Sequence, residues 1–149
     1  MQQRGATLTE LMIMMGLAGL LLAFAAESFR AMASRQQGHA VAAELAGELR
    51  AARFLAIARR ERVRVVIDPE SRRVRAESAD TTGAVLRQYD YQGRGIFMEG
   101  PRDQTPVMFY PSGRAATPAT ITLRNARNER WQLTVSLIGR VSIKQQSDA

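Results

Sequence analysis

Few side chains in this sequence have the types and spacing that catalysis requires. His39 is the only histidine and the cysteine count is 0. No spacing typical of a Ser-His-Asp triad is present, and a thiolate metal site is excluded. His39 lies in a stretch that favours a helix, and we interpret it as a solvated or interface residue. We therefore expect a protein that is not an enzyme and that needs no metal and no cofactor.

One carboxylate stands at the edge of a long apolar run. Residues 11–26 are almost wholly apolar, about as long as a short membrane span or a long signal-peptide core, given the roughly 20 residues that cross a bilayer as a helix. Length alone does not choose between these two. A carboxylate at such an edge is costly and indicates a function with a partner. Alternatively, Thr7 and Glu10 form a capping box at the start of a helix. The two interpretations are compatible.

Basic side chains form the second group that could bind a ligand. The formal net charge is +7, arginine carries nearly all of it, and Lys144 is the only lysine. Such a charge attracts polyanions or acidic lipid surfaces. Five basic residues flank a predicted hairpin and the last strands, and we expect them to converge at one end of the fold: Arg124, Arg127, Arg130, Arg140 and Lys144. They predict either contacts to a DNA backbone or a solvated basic face.

The elements that position these residues begin with one long helix. Residues 28–60 contain no proline, and apolar residues between Val41 and Ala56 recur at three- and four-residue steps. We predict a helix from about Thr7 to Arg60, lipid-embedded at first and amphipathic afterwards. Gly38 and Gly47 are positions where it could bend.

Short strands follow the helix. Strand-forming runs separated by turn residues are expected at 63–67, 72–77, 85–91, 96–98, 107–110, 119–124, 131–137 and 141–144. The connections are short, so the pairing is mostly antiparallel. Residues 111–114 form a β-turn with Gly113 at positive φ, since one glycine without a following Lys-Ser/Thr makes a poor phosphate loop. The fold class is α+β, a long N-terminal helix packed on a β-sheet head.

The start of the chain carries the motif Gly5-Ala6-Thr7-Leu8-Thr9-Glu10 before its apolar helix. It resembles the class III leader of type IV pilins and type II secretion pseudopilins. In that family a prepilin peptidase cuts after the glycine and methylates the new amino terminus. The resemblance implies cleavage after Gly5, methylation of Ala6, and filament assembly through Glu10, whose carboxylate offsets the buried ammonium of a neighbouring subunit. Ala6 differs from the family's usual phenylalanine.

Three further motifs are similar to the GspH/FimT branch of this superfamily: Leu49-Arg50-x-Ala52-Arg53-x-Leu55-Ala56, Met108-Phe109-Tyr110-Pro111-Ser112-Gly113-Arg114-Ala115, and Leu137-Ile138-Gly139-Arg140-Val141. The resemblance implies a type IV pilin-like fold with a leader at residues 1–5, a transmembrane polymerisation helix at 6–29, its amphipathic continuation at 30–60, and a β-rich periplasmic head at 61–149.

The function implied is that of a minor pseudopilin or minor pilin. Such a subunit is anchored in the inner membrane by a single span and initiates or caps a periplasmic or surface filament, in type II secretion or in type IV pilus biogenesis. Its implied partners are other pseudopilins or minor pilins, the prepilin peptidase and the inner-membrane assembly platform. On the FimT side, a C-terminal Gly-Arg-x-Arg motif is associated with DNA binding during uptake. Arg140 matches that motif and Ser142 does not, so a DNA-binding minor pilin is the alternative.

Overall fold

The computed structural model describes residues 7–81, 83–101 and 105–146. Its elements follow in the order α1 (Leu8–Arg59), β1 (Val63–Asp68), β2 (Arg73–Ser78), β3 (Val85–Asp90), β4 (Ile96–Glu99), β5 (Val107–Phe109), β6 (Ala119–Asn125), β7 (Arg130–Val135) and β8 (Val141–Gln146). All eight expected strands are present, within a few residues of their predicted bounds. The predicted helix from about Thr7 to Arg60 is confirmed as well, since α1 spans Leu8–Arg59.

Local chemistry sets both ends of helix α1. The Glu10 amide donates to the Thr7 hydroxyl at 3.4 Å, so Thr7 caps the first turn. Arg60 adopts a φ of +56°, the left-handed conformation that stops a helix, and strand β1 begins three residues later. Between these points the helix runs for 52 residues.

The chain divides into two compact units, Met1–Ser34 and Arg35–Ala149. In the first unit, no described residue of the helix is buried. Its large apolar side chains are exposed, with Leu21 at 69% and Phe24 at 69%. The apolar helix of this unit finds no core of its own.

The second unit contains two four-stranded sheets. The strand orders are β3-β2-β1-β5 and β4-β6-β7-β8, and every strand pair is antiparallel among the described residues. Helix residues from Val41 onward join side chains of both sheets in one hydrophobic cluster. The fully buried side chains with the largest volumes include Trp131, Tyr91, Phe109, Leu45 and Leu49. The head therefore holds two sheets around one helix.

Small residues let the helix approach these sheets closely. Its buried positions are Gly38, Val41, Ala42, Leu45, Ala46, Leu49, Ala52 and Ala56. Gly38 faces the Trp131 ring so directly that a Cβ at this position would overlap the indole. Gly38 thus provides room for the indole, in addition to any effect it has on helix bending.

One predicted strand is shorter than expected. The alternation from Trp131 predicted a strand that reaches Leu137, but β7 ends at Val135. Leu137 and Ile138 lie in the turn before β8 and are 46% and 64% exposed. The turn is closed by a hydrogen bond from the Gly139 amide to the Ser136 carbonyl, at 2.8 Å. Gly139 adopts a φ of +75°, which favours a turn. The turn ends the strand although the apolar pattern continues to Leu137.

Candidate functional site

Two predicted processing residues, Gly5 and Ala6, lie outside the described residues. Glu10 lies in the first turn of helix α1, and its side chain is exposed. One of the two hydrogen bonds of the predicted capping box is present, because the Thr7 hydroxyl accepts a hydrogen bond from the Glu10 amide. No hydrogen bond or ion pair between described residues involves the Glu10 carboxylate. The assembly role of Glu10 stays a prediction.

The helix of the first unit is long and apolar enough to cross a membrane. Its exposed apolar side chains surround the whole helix rather than one face: Leu8, Leu11, Met12, Ile13, Met14, Met15, Leu17, Leu20, Leu21, Leu22, Phe24, Phe29 and Met32. A helix that is apolar all round is suited to lipid or to the core of a larger assembly.

The structure brings together three of the five basic residues that the sequence singled out. Arg124 and Arg130 are direct partners in the β6–β7 ladder, and Gln132, two residues after Arg130, pairs with Lys144 of β8. Because alternate residues of a strand share a face, these three side chains lie on one face of the second sheet. The opposite face carries buried Trp131 and Leu133. The three basic residues thus belong to the outer face of that sheet.

Arg140 contradicts the expected convergence. Strand β8 starts at Val141, opposite Val135, whereas Arg130 pairs with Gln146 at the far end of the same ladder. Five residue steps along a strand separate these ends by roughly 17 Å. Arg127 lies in the β6–β7 turn, where its amide donates to the Asn125 side chain at 3.0 Å. A single basic site at one end of the head is therefore wrong, because the antiparallel hairpins carry the five residues to different ends.

Arg140 lies where two glycine turns meet helix α1. Residues 110–114 form the first turn and residues 136–140 the second, and the Ala115 amide donates to the Leu137 carbonyl between them, at 3.0 Å. Gly113 has a φ of +76°, as predicted. A Cβ at Gly139 would overlap the Gly113 carbonyl oxygen. Two of the sequence motifs thus meet at a place that requires glycine.

Arg53 joins both turns to the helix. Its Nε donates to the Gly113 carbonyl at 2.8 Å, and a Cβ on Gly139 would lie only 2.7 Å from the same nitrogen. One turn earlier on the helix, Arg50 donates through Nη2 to the Val141 carbonyl at 3.3 Å. Both arginines are therefore directed toward the turns.

These contacts leave a cleft of about 400 Å³ that we call the arginine cleft. It is lined by Arg50, Arg53, Ile138, Gly139, Arg140 and Val141. Arg50 and Arg53 were not among the predicted site residues. Their three-residue spacing on a helix was a usable signal, since it places both guanidinium groups on one face. The turn residues they meet are distant in sequence, so spacing alone could not pair them with Arg140.

A second set of polar contacts holds the helix to the first sheet. Arg87 donates to both carboxylate oxygens of Glu48 at 2.8 Å. The Tyr89 hydroxyl donates to Glu44 at 2.7 Å, and Arg94 donates to the same carboxylate at 3.0 Å. The bond from Tyr89, together with Arg94, lowers the pKa of Glu44. Burial, followed by the bond to Glu44, raises the pKa of Tyr89. These contacts serve the fold rather than a reaction.

A long helix that is apolar in its first part and packs on an antiparallel β head in its second part is the architecture of type IV pilin-like proteins. The family model described as type II transport protein GspH matches residues 41–139. This match covers more than half of the chain, so the protein belongs to the GspH family. The matched segment contains Arg50, Arg53 and both glycine turns up to Gly139.

The solved structures with this fold include a minor pseudopilin and a minor pilin. The minor pseudopilin EpsH from the type 2 secretion system of Vibrio cholerae gives a TM-score of 0.61 at 18% identity, covering 73% of this chain and 97% of EpsH. The type IV minor pilin FimU of Pseudomonas aeruginosa gives 0.62 at 19% identity, covering 74% and 90%. These likenesses show the shared fold. A search of curated proteins by sequence finds no match.

Proposed function

We propose that this protein is a minor pseudopilin or minor pilin, a non-catalytic subunit that helps to initiate or cap a filament of the type IV pilin kind. The observation that carries the proposal is the GspH match over residues 41–139, on a chain whose helix α1 has the apolar first part that such subunits use. The similar solved structures, a minor pseudopilin and a minor pilin, support the same class.

The apolar part of helix α1 supplies the anchor and the polymerisation element. Before assembly it spans the inner membrane with the head in the periplasm, and in the filament it packs against helices of other subunits. The leader, residues 1–5, is removed by the prepilin peptidase, which leaves the Ala6 ammonium as the new terminus. Removal of an unpaired charge from water is costly. A neighbour's Glu10 carboxylate offsets that cost.

The mass of the mature N-terminus tests this function directly. We expect a peptide that begins at methylated Ala6 when the full chain is expressed with its prepilin peptidase. Gly5→Ala should leave the unprocessed precursor, while Gln2→Ala, a change in the same leader away from the cleaved bond, should mature normally. Normal maturation of Gly5→Ala would contradict the proposal.

Glu10 adds a second measurement to the same experiment. Glu10→Gln should be processed and membrane-inserted but should fail to copurify with the other filament subunits. Glu27→Gln, which removes the other carboxylate of the first unit, is the control and should assemble. Equal assembly of both variants would remove the proposed role of Glu10.

The DNA-uptake alternative has no support in the structure or in the comparisons. Its basic residues do not converge, since Arg140 lies at the opposite end of the β7–β8 ladder from Arg130. Ser142 replaces the second arginine of the motif and the similar structures are named for secretion and pilus subunits. We therefore do not propose DNA as the ligand.

A further inference from the structure

The arginine cleft combines three cationic side chains, and none of its lining residues is acidic. Within the described residues, eight arginines form ion pairs with Asp or Glu: Arg35, Arg59, Arg62, Arg64, Arg73, Arg75, Arg87 and Arg94. Arg50, Arg53 and Arg140 have no such pair there, and no lining residue is acidic. Three guanidinium groups around one concave space favour an anion.

Exposed apolar side chains border this cleft. Phe54 and Ile57 follow Arg50 and Arg53 by four residues each, so the four side chains share one stripe of helix α1. Phe54 is 68% exposed and Ile57 is 43% exposed. Ile138, which lines the cleft itself, is 64% exposed. A small inorganic anion needs no apolar rim, whereas a protein segment does.

We propose that the arginine cleft binds a side-chain carboxylate of a neighbouring filament subunit, held by Arg50 and Arg140 and flanked by apolar side chains that pack on Phe54, Ile57 and Ile138. This proposal rests on the proposed function, since it names a partner class for a filament subunit. The net charge of +7 favours an acidic partner. Arg53 acts as a positioning residue, because its short Nε bond to Gly113 holds the first glycine turn against helix α1. Arg50 makes one longer bond, to Val141, and keeps its other donors for a ligand.

A protein carboxylate fits this surface better than a nucleic acid does. Phosphate backbones are bound by extended basic tracks. The outer-face residues Arg124 and Arg130 lie at the other end of the ladder from Val141 and do not continue the cleft. Trp131, the neighbour of Arg130 in β7, packs against Gly38 of helix α1. Gly38 lies 15 helix residues before Arg53, which is roughly 22 Å along the helix axis. The cationic surface is therefore short, concave and rimmed by apolar groups.

Fluorescence anisotropy on the full chain in a non-ionic detergent tests the proposal. The probe is a dye-labelled hexapeptide with one glutamate between leucine and phenylalanine, and its control carries glutamine at the same place. We expect the glutamate peptide to bind about tenfold more tightly or better, because a charged hydrogen-bonding partner is worth that much. Equal binding of both peptides, or no binding of the glutamate peptide, would overturn the proposal.

Four single variants locate the binding site. Arg50→Ala and Arg140→Ala should each weaken glutamate-peptide binding about tenfold, and Phe54→Ala should weaken it several-fold. Arg73→Ala is the matched control, since it removes the same charge from an ion pair elsewhere in the head. It should bind as the wild type does. An equal loss of peptide affinity in Arg73→Ala would show a general effect of charge and would contradict a specific binding site in the cleft.

Competition with duplex DNA and with inorganic phosphate identifies the ligand class of the cleft, and cleavage of the leader tests the proposed function separately. Duplex DNA that displaces the peptide more effectively than unlabelled peptide would assign the cleft to nucleic acid. Inorganic phosphate that does so would assign it to small anions. Either result overturns the proposal. The Arg140→Ala variant should still lose its leader and begin at Ala6. A negative result for peptide binding therefore leaves the proposed function intact. Normal maturation of Gly5→Ala would instead refute the function and leave peptide binding measurable.

Discussion

Two stretches of helix α1 use apolar residues in opposite ways. Up to Ser34 no described residue is buried, although the stretch is rich in leucine, methionine and phenylalanine. From Arg35 onward, one stripe of the helix is completely buried, and it is built largely from alanine with Val41, Leu45 and Leu49. Large apolar residues are therefore exposed in the first stretch, whereas the second stretch buries a stripe in which alanines and Gly38 lie between Val41, Leu45 and Leu49.

The difference shows where each stretch finds its apolar partner. A one-sided apolar stripe that contains several small residues is suited to close approach by the protein's own sheets. A surface that is apolar all round cannot be satisfied by one sheet, so its partners are lipid or other helices. The second stretch therefore packs within the fold of the head, whereas the first requires lipid or the helices of other subunits around it.

Replacement of one leucine in each stretch gives the largest expected contrast. Leu45 is fully buried, so Leu45→Ala should lower the free energy of unfolding of the head by about 2–5 kcal/mol. Leu21 is 69% exposed, and Leu21→Ala should change that free energy by less than about 0.5 kcal/mol. Denaturant unfolding of the full chain in detergent, followed by fluorescence of the single Trp131, measures both. Similar losses would mean that the two stretches are not distinct.

A pair of glycines sharpens the comparison within the second stretch. Gly38→Ala should destabilise the head by about 1–3 kcal/mol, because its Cβ would overlap the Trp131 ring. Gly47 is exposed, and no atom lies within 4 Å of a Cβ built there. Gly47→Ala should therefore stabilise the helix by about 0.5–1 kcal/mol. Unfolding followed by circular dichroism measures both variants, and a neutral Gly38→Ala would contradict the close packing of the indole.

Local patterns predicted most of the fold. The helix and the eight strands follow from the periodicity and turn residues of the sequence, and Gly113 was correctly placed at positive φ. The division into two sheets was not predicted, because alternation reports which face of a strand is buried and not which strand is its neighbour. Leu137 continued the apolar pattern of β7 beyond the point where the second turn ends it.

The candidate site was less accessible to sequence reasoning. Arg140 was singled out, but it was grouped with Arg130 because a hairpin and the strands after it were expected to bring both to one end of the head. Hairpin geometry separates these two and brings Arg140 to Arg50 and Arg53, which precede it by 90 and 87 positions in the numbering. Only the tertiary structure pairs residues at such separations. The leader and Glu10 were recognised through family resemblance and remain predictions.

The polar contacts between the second stretch and the first sheet predict a modest dependence on pH. The bond from Tyr89, with Arg94, lowers the pKa of Glu44 below its ordinary value of 4.5. A carboxyl group whose pKa is depressed by folding stabilises the fold above its ordinary pKa, and this contribution is lost as the pH falls through the depressed value. The Glu44 side chain is 42% exposed, so screening limits the effect to within about 1 kcal/mol.

Glu44→Gln tests this contribution. The variant should be less stable than the wild type at neutral pH, and the difference should shrink as the pH falls below 4.5. Tyr89→Phe removes the donor but keeps the carboxyl group, and it should reduce the same acid dependence, because the hydroxyl is the main cause of the lowered pKa. Melting temperatures between neutral and acidic pH measure all three proteins. An acid dependence that stays at the wild-type level in Glu44→Gln would mean that other carboxylates, such as Asp68 and Asp80 with their lowered pKa values, account for it.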